Sequence, residues 1–291
     1  MRNTCQSRPA AAMIALLAAA TVPAWAADAA DYEQRVAAEH AGDRPRANVS
    51  TDDTDVVAEP RAYATLDGKP VTGYLARPRS GSAPFPAVLL VHEWWGLNDN
   101  IRAMARRFAD NGFVALAVDL YEGRTASRPD KARALMQAAM ERPARLRRNL
   151  EQAYYYLDIM PSTERIGSVG WCFGGGWSLR TALMFPEELD AGVIYYGELV
   201  TDRERLQPLQ VPILGIFGGA DPVVPPDRAR AFEQVLTELG KTHRIHIYEG
   251  AEHAFANPSG ESYDPEAAAS AWARTMAFLR THLAGETRSG E

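Results

Sequence analysis

The segment at residues 165–176 constrains the fold more than any other part of the chain. It reads RIGSVGWCFGGG, so an apolar, strand-like stretch ends abruptly in glycines and a helix-like stretch follows. Cys172 stands between Gly170 and Gly174. Small flanking residues let a strand turn sharply into a helix around one residue in a strained backbone conformation. The segment therefore predicts a strand, a tight elbow that presents Cys172, and a helix packed against a sheet.

Strand-like and helix-like stretches alternate along most of the chain, which predicts a mostly parallel central sheet with helices on both faces. An antiparallel hairpin joined through Asp67 and Gly68 is expected to open it. The predicted strands are 61–65, 71–77, 87–92, 113–120, 166–170, 192–196, 213–217 and 245–248, and the predicted helices are 98–111, 129–140, 144–160, 174–184, 226–239 and 265–283.

Three candidate catalytic side chains follow predicted strands, in the order Cys172, Asp221 and His253. A nucleophile, an acid and a histidine in this order are typical of the α/β-hydrolase fold. His253 would accept and return a proton, and Asp221 would hold its imidazole in the correct tautomer. The alternatives are a buried structural cysteine, a turn cap at the Asp-Pro pair, and a surface histidine. The pattern indicates a cysteine-dependent hydrolase.

The composition and net charge limit the classes of protein to which the chain can belong. The chain has 291 residues, of which 46% are hydrophobic, and a formal net charge of −6. This suits one globular catalytic domain and disfavours a nucleic-acid surface, which requires a basic face. The arginines at 142, 145, 147 and 148 are interpreted as a solvated helix face.

The N-terminus has the features of a secretory signal peptide. Two arginines precede an apolar stretch at 10–22, and Ala24-Trp25-Ala26 forms a small-x-small cleavage site. We expect residues 1–26 to be removed on export, 58–284 to be the catalytic domain and 285–291 to be a tail. Residues 27–57 are expected to be an extension or linker, either mobile or with a short helix before the linker. The predicted location is periplasmic or secreted, with no membrane association after cleavage.

The chain has two cysteines, and Cys5 lies within the predicted signal. Cys172 would then be the one thiol of the processed chain, unable to form an internal disulfide.

The oxyanion of the reaction is expected to bind two backbone amides, those of Phe173 and Trp94.

Five motifs in order resemble the dienelactone hydrolase (carboxymethylenebutenolidase) family. They are VHEWWGLN at 91–98, DLY at 119–121, GWCFGG at 170–175, YYG at 195–197 and EHAF at 252–255. The resemblance spans about residues 59 to 283 and implies hydrolysis of a lactone or small carboxylic ester. It also implies that Glu93 contacts the resting cysteine and helps convert it to the thiolate when substrate binds. The alternative for Glu93 is a capping or surface carboxylate.

The substrate contacts depart from the family's archetype, which uses arginines to bind a carboxylate. One of those arginines corresponds to Asn257 here, and Arg133 replaces a tyrosine. Trp95, Tyr121, Arg133 and Asn257 are the candidate substrate contacts. We expect small, neutral esters or lactones, because an amide cannot replace a bidentate arginine.

No metal or organic cofactor is expected. HEWWG at 92–96 lacks the second histidine of a zinc protease, and the elbow glycines do not form a dinucleotide fingerprint. The predicted partner is a small-molecule substrate, and we expect a monomer. Two alternatives stay open, a non-catalytic binding or scaffold protein with this fold, and a hydrolase of thioesters or peptides.

Overall fold

The computed structural model describes residues 24–42 and 55–283. Its strands are β1 Val56–Leu66, β2 Lys69–Pro78, β3 Phe85–Val91, β4 Val114–Ala117, β5 Thr163–Trp171, β6 Ala191–Tyr195, β7 Ile213–Gly218 and β8 His243–Tyr248. Its helices are α1 Ala24–Glu39, α2 Asp99–Asp110, α3 Pro129–Met140, α4 Pro143–Asp158, α5 Phe173–Met184, α6 Arg203–Leu206, α7 Pro226–Glu238 and α8 Pro265–Leu283.

The eight strands form one sheet in the order β1-β2-β4-β3-β5-β6-β7-β8. The strands β1 and β2 pair antiparallel, and β2 joins β4 antiparallel, whereas β4 through β8 all pair in parallel. This confirms the predicted mostly parallel α/β sheet. In such a sheet the carboxyl ends of the parallel strands meet at one edge, where ligands bind.

The central strands are hydrophobic on both faces because helices cover both sides of the sheet. Every residue of β4, β6 and β7 is buried. The edge strand β1 instead mixes buried and exposed residues, as expected where one face meets water. The apolar strands therefore act as a rigid support for the loops at their carboxyl ends.

The element predictions agree closely with the structure from residue 61 onward. The predicted bounds of α3 and α8 are confirmed. The short helix α6 was not predicted. The opening hairpin is longer than predicted, and β4 ends at Ala117 rather than at Leu120. The chain turns there because the Asp119 carboxylate accepts hydrogen bonds from the backbone amides of Tyr121 and Gly123.

The N-terminal part has a helix, which is one of the two arrangements that the sequence predicted for residues 27–57. Helix α1 spans Ala24–Glu39 and packs against α3. The predicted signal peptide lies mostly outside the described residues, and its cleavage site after Ala26 falls within the first turn of α1. The predicted tail at 285–291 also lies outside them. Within 24–42 and 55–283, no helix is both long enough and apolar enough to cross a bilayer.

Candidate active site

Cys172 occupies a strained elbow between β5 and α5. Its backbone has φ 51° and ψ −120°, a conformation that residues with a side chain rarely adopt. The flanking glycines are required by close backbone approach. A Cβ at Gly170 would lie 2.0 Å from the carbonyl oxygen of Gly174, and one at Gly174 would lie 2.1 Å from that of Val91. The sequence glycines thus permit the turn that places Cys172 at the sheet edge.

His253 and Asp221 form a buried pair beside this elbow. The Asp221 Oδ2 atom lies 2.8 Å from His253 Nδ1, and both side chains are fully buried. The other carboxylate oxygen accepts hydrogen bonds from the backbone amides of Val223 and Val224, at 2.7 and 2.8 Å. Asp221 is therefore held in place by its own loop, and it orients the second nitrogen of His253 away from itself.

The Cys172 sulfur and a ring nitrogen of His253 lie within 4.8 Å of each other. Burial alone would raise the pKa of Cys172, but the charge of His253, with a contribution from His40, lowers it to about 6. Burial alone would lower the pKa of His253, but the charges of Asp221 and Cys172 raise it well above its usual value. The lowered pKa of Cys172 and the raised pKa of His253 both favour a thiolate paired with an imidazolium at neutral pH.

Glu93 lies just beyond β3, buried beside the same centre. The Tyr196 hydroxyl donates a hydrogen bond to Glu93 Oε1 at 3.3 Å, and the side-chain amide of Asn257 donates to Oε2. Burial, followed by the negative charge of Cys172, raises the pKa of Glu93 to about 8. Glu93 is therefore mostly protonated at neutral pH and does not oppose the thiolate with a second charge.

The two predicted amide donors lie on turns next to these groups. Phe173 is the first residue of α5, where a backbone N–H has no acceptor within the helix. Trp94 is fully buried in the turn after β3, and its ring lies 4.9 Å from that of Trp95. The Tyr121 ring lies 5.6 Å from the Phe173 ring, and its buried hydroxyl has no hydrogen-bond partner among the described residues. Aromatic side chains thus surround the elbow.

The remaining two predicted substrate contacts have partners within the protein. Asn257 binds Glu93, and its Oδ1 atom accepts hydrogen bonds from the Asn100 side chain at 3.1 Å and the Ser259 amide at 2.8 Å. Arg133 lies exposed on α3 and pairs with Glu33 of α1 at 3.0 Å. Their contacts with substrate stay predictions.

Sequence reasoning missed two residues of α1 and its following turn that reach the centre. The Tyr32 hydroxyl lies 3.7 Å from the Cys172 sulfur. The His40 ring lies 5.1 Å from the Trp94 ring and 5.4 Å from the His253 ring, between centroids. One available signal was the four-residue spacing of Tyr32, Val36 and His40, which places them on one helix face.

One group among the described residues has the donor atoms of a metal site. The ligand atoms of His40, Cys172 and His253 lie within 4.8 Å of one another, and all three residues are buried. Two imidazoles and a thiolate suit zinc or copper better than magnesium. The same three groups also suit an ion pair between thiolate and imidazolium, which needs no metal.

The fold and this centre together define an α/β-hydrolase. An elbow that presents Cys172 and a buried pair of Asp221 and His253 meet at the carboxyl edge of one mostly parallel sheet. Comparison with known proteins identifies the family. A sequence model described as the dienelactone hydrolase family matches residues 71–283.

Individual proteins show the same similarity. "Protein usf" of Aquifex pyrophilus is 34% identical over 228 residues, which cover 75% of this chain and 96% of that protein. A "Putative carboxymethylenebutenolidase" of Aquifex aeolicus is 33% identical over 224 residues, covering 75% and 96%. A crystal structure of a dienelactone hydrolase-like promiscuous phosphotriesterase from metagenomic libraries aligns with a TM-score of 0.71 at 25% identity, covering 79% of this chain and 99% of that one. The chain belongs to the dienelactone hydrolase family and is a hydrolase.

Proposed function

We propose that this protein is an exported cysteine hydrolase that cleaves lactones or small carboxylic esters through a thioester on Cys172. The observation that carries the proposal is the buried Asp221–His253 hydrogen bond of 2.8 Å, next to a cysteine in a strained elbow. An arrangement of nucleophile, base and orienting acid is what acyl transfer requires.

In the first half of the reaction, the Cys172 thiolate attacks the carbonyl carbon of the substrate and forms a C–S bond. The carbonyl electrons move onto oxygen, which the amides of Phe173 and Trp94 stabilise. As the tetrahedral intermediate collapses, the C–O bond breaks, and the imidazolium of His253 gives its proton to the leaving alkoxide. In a lactone the released alcohol stays attached to the acyl group.

In the second half, water replaces the alcohol. Neutral His253 takes a proton from the water, whose oxygen attacks the thioester carbonyl, and the C–S bond then breaks to release a carboxylic acid and the thiolate. Asp221 stabilises the histidine cation in both halves. The lowered pKa of Cys172 makes the thiolate a good leaving group as well as an available nucleophile.

Glu93 would tune this cycle without bonding to substrate carbon. Its carboxyl group is held by Tyr196 and Asn257 and influences Cys172 electrostatically. Protonated Glu93 permits the thiolate, whereas ionised Glu93 opposes it. This agrees with the role that the family resemblance implies, a carboxyl group that controls the ionisation of the nucleophile.

Small, neutral substrates suit the walls of the site. The aromatic rings of Trp94, Trp95 and Tyr121 lie near the elbow, and Tyr121 has a hydroxyl available as a donor. Asn257 is neutral and engaged with Glu93, and Arg133 is paired with Glu33. These positions therefore supply little positive charge for a substrate carboxylate.

A panel of p-nitrophenyl esters, neutral lactones and a carboxylated dienelactone tests the substrate proposal. We expect hydrolysis of the neutral compounds by the wild-type protein and its loss in Cys172→Ala, with kcat/KM for neutral lactones above that for the dienelactone. Asn257→Arg should shift this ratio toward the anionic substrate. Preference of the wild type for the dienelactone by tenfold or more would contradict the substrate proposal, and turnover retained in Cys172→Ala would contradict the mechanism.

Export is proposed from the first 26 residues, which have the charge and apolar pattern of a secretory signal. Mass spectrometry of the protein recovered from a periplasmic fraction should give a chain that begins at Ala27. An intact chain found only in the cytoplasmic fraction would contradict it.

A further inference from the structure

Helix α1 presents one buried face to the catalytic centre. Tyr32, Val36 and His40 follow one another at four-residue intervals, and their exposed fractions are 3%, 0% and 5%. Gln34 and Ala38 on the same segment are exposed. An amphipathic helix buries such a stripe only against a matching surface. Here that surface is the active site itself. We call these three residues the α1 face.

The α1 face meets the reacting groups directly. The Tyr32 hydroxyl lies 3.7 Å from the Cys172 sulfur. The His40 ring lies 5.4 Å from the ring of His253 and 5.1 Å from that of Trp94, between centroids. The helix therefore covers both the nucleophile and the general base.

Charged side chains next to the α1 face also hold α1 in this place. Glu33 pairs with Arg133 of α3 at 3.0 Å. The Arg35 guanidinium donates a hydrogen bond to the carbonyl of Val223, in the loop whose backbone amides bind Asp221. The Arg133 side chain is 44% exposed, that of Arg35 24% and that of Glu33 12%. Among the described residues, no backbone hydrogen bond joins α1 to the sheet, so displacement of the helix breaks side-chain contacts and leaves the strand pairing intact.

With α1 in place, the thiol and the imidazole beside it are closed to solvent. The Cys172 and His253 side chains are both fully buried. A crevice next to the elbow, lined by Tyr32, Met136 and Phe173, has a volume of about 10 Å³, which holds a single water molecule but not an ester. An ester therefore reaches Cys172 only after a covering group moves, and Tyr32 of the α1 face is one of the groups in contact with the sulfur.

We propose that the α1 face is a movable, specificity-determining wall of the catalytic centre, which controls access to Cys172 and disfavours bulky acyl groups. This deepens the proposed function and rests on it for the acyl substrate. Signal cleavage after Ala26 would remove three residues of α1 and keep the whole α1 face, so the exported protein would carry this wall.

Alkylation of the thiol tests access without using hydrolysis. In the chain that begins at Ala27, Cys172 is the one cysteine. The rate of its labelling is measured with iodoacetamide and with the bulkier fluorescein maleimide. Val36→Asp places a charge on the buried face, where an unpaired carboxylate is strongly disfavoured. Ala38→Asp adds the same charge on the exposed side of the same turn and is the matched control.

We expect Val36→Asp to label at least tenfold faster than the wild type, with the larger gain for the bulky reagent, and Ala38→Asp to stay within twofold. Val36→Asp should also raise kcat/KM for a p-nitrophenyl ester of a long acyl chain relative to the acetate. Equal labelling rates in the wild type, Val36→Asp and Ala38→Asp would overturn the proposal.

If thermal melting shows that Val36→Asp is not folded, a charge swap between α3 and α1 tests the movable wall instead. Arg133→Glu places like charges opposite each other between α3 and α1 and should increase the labelling rate about threefold. Adding Glu33→Arg restores an opposite pair and should return the rate toward that of the wild type. Identical rates in the wild type, the single variant and the swap would overturn the movable wall.

The two proposals fail in different ways. If the labelling pattern is as expected but no ester or lactone is hydrolysed, the wall stands and the proposed function is wrong. If hydrolysis depends on Cys172 but labelling does not respond to the α1 variants, the function stands and the wall is wrong.

Discussion

The two sides of Cys172 are built differently. On one side, Asp221 and His253 follow β7 and β8, and adjacent parallel strands bring them together at one sheet edge. On the other side, Tyr32 and His40 come from a helix distant in sequence that packs through one short face. The first arrangement is fixed by backbone hydrogen bonds, whereas the second depends on a few side-chain contacts. The proposed movable wall thus lies on the side of Cys172 opposite the pair that the sheet holds in place.

The largest effect is expected on the rigid side. Asp221→Asn keeps the shape of the side chain but removes the charge that stabilises the His253 cation. We expect kcat to fall by about 100-fold or more. The pH midpoint of Cys172 alkylation should rise, because the variant destabilises the His253 cation that lowers the pKa of Cys172 to about 6. Asp227→Asn, in the first turn of α7, is the control. An unchanged midpoint in Asp221→Asn would mean that the pair does not set the ionisation of the thiol.

The charge of Glu93 interacts with His253 on one side of Cys172 and with His40 on the other. The raised pKa of Glu93 predicts how the stability of the folded protein changes with pH. The pKa in the folded protein, about 8, exceeds that of an unfolded glutamate. The folded state therefore binds the proton more tightly, and stability from this group falls as pH rises from about 4.5 to 8. In the wild type, ionisation of Glu93 should lower the free energy of unfolding by on the order of 3 kcal/mol across this pH range, and Glu93→Gln should remove that loss.

Urea unfolding at pH 5 and pH 8 measures this difference. Glu93→Gln should lose less stability than the wild type between these two pH values. Glu141→Gln, an exposed position at the end of α3, should behave as the wild type does. Parallel pH profiles for Glu93→Gln and the wild type would return Glu93 to the role of an ordinary capping carboxylate.

The smallest effect is expected from Tyr32→Phe, which removes the hydroxyl near the sulfur but keeps the ring. Loss of one hydrogen bond to the thiolate should raise the pH midpoint of alkylation by roughly 0.5 unit. Tyr155→Phe, on an exposed tyrosine, should leave it unchanged. A midpoint that does not move in Tyr32→Phe would show that α1 acts on the site by steric cover alone.

The same contrast explains what the sequence could predict. The elbow was recognisable because Gly170 and Gly174 are required by local backbone geometry, and the order of Cys172, Asp221 and His253 follows strand connectivity. These are properties of short segments and of parallel sheets, so they can be read along the chain.

The α1 face was not predictable in the same way. Residues 27–57 are rich in alanine and acidic residues, and their composition indicates a mobile extension or a short helix plus linker, without showing where such a helix would pack. The burial of Tyr32 and His40 depends on contacts more than 100 residues away in sequence, such as that with Cys172. The contact of Asn257 with Glu93 is long-range in the same sense and left no local pattern.

Trapping the acyl-enzyme tests most directly whether Cys172 is the nucleophile. The wild-type protein is mixed with excess p-nitrophenyl acetate, quenched in acid during turnover, digested and analysed by mass spectrometry. We expect one acetyl group on the wild-type peptide that contains Cys172, and hydroxylamine should remove it, as expected of a thioester. Cys172→Ala should show neither acetylation nor turnover. Turnover with the acetyl group on a different residue, or turnover that survives in Cys172→Ala, would contradict the assignment of Cys172 as the nucleophile.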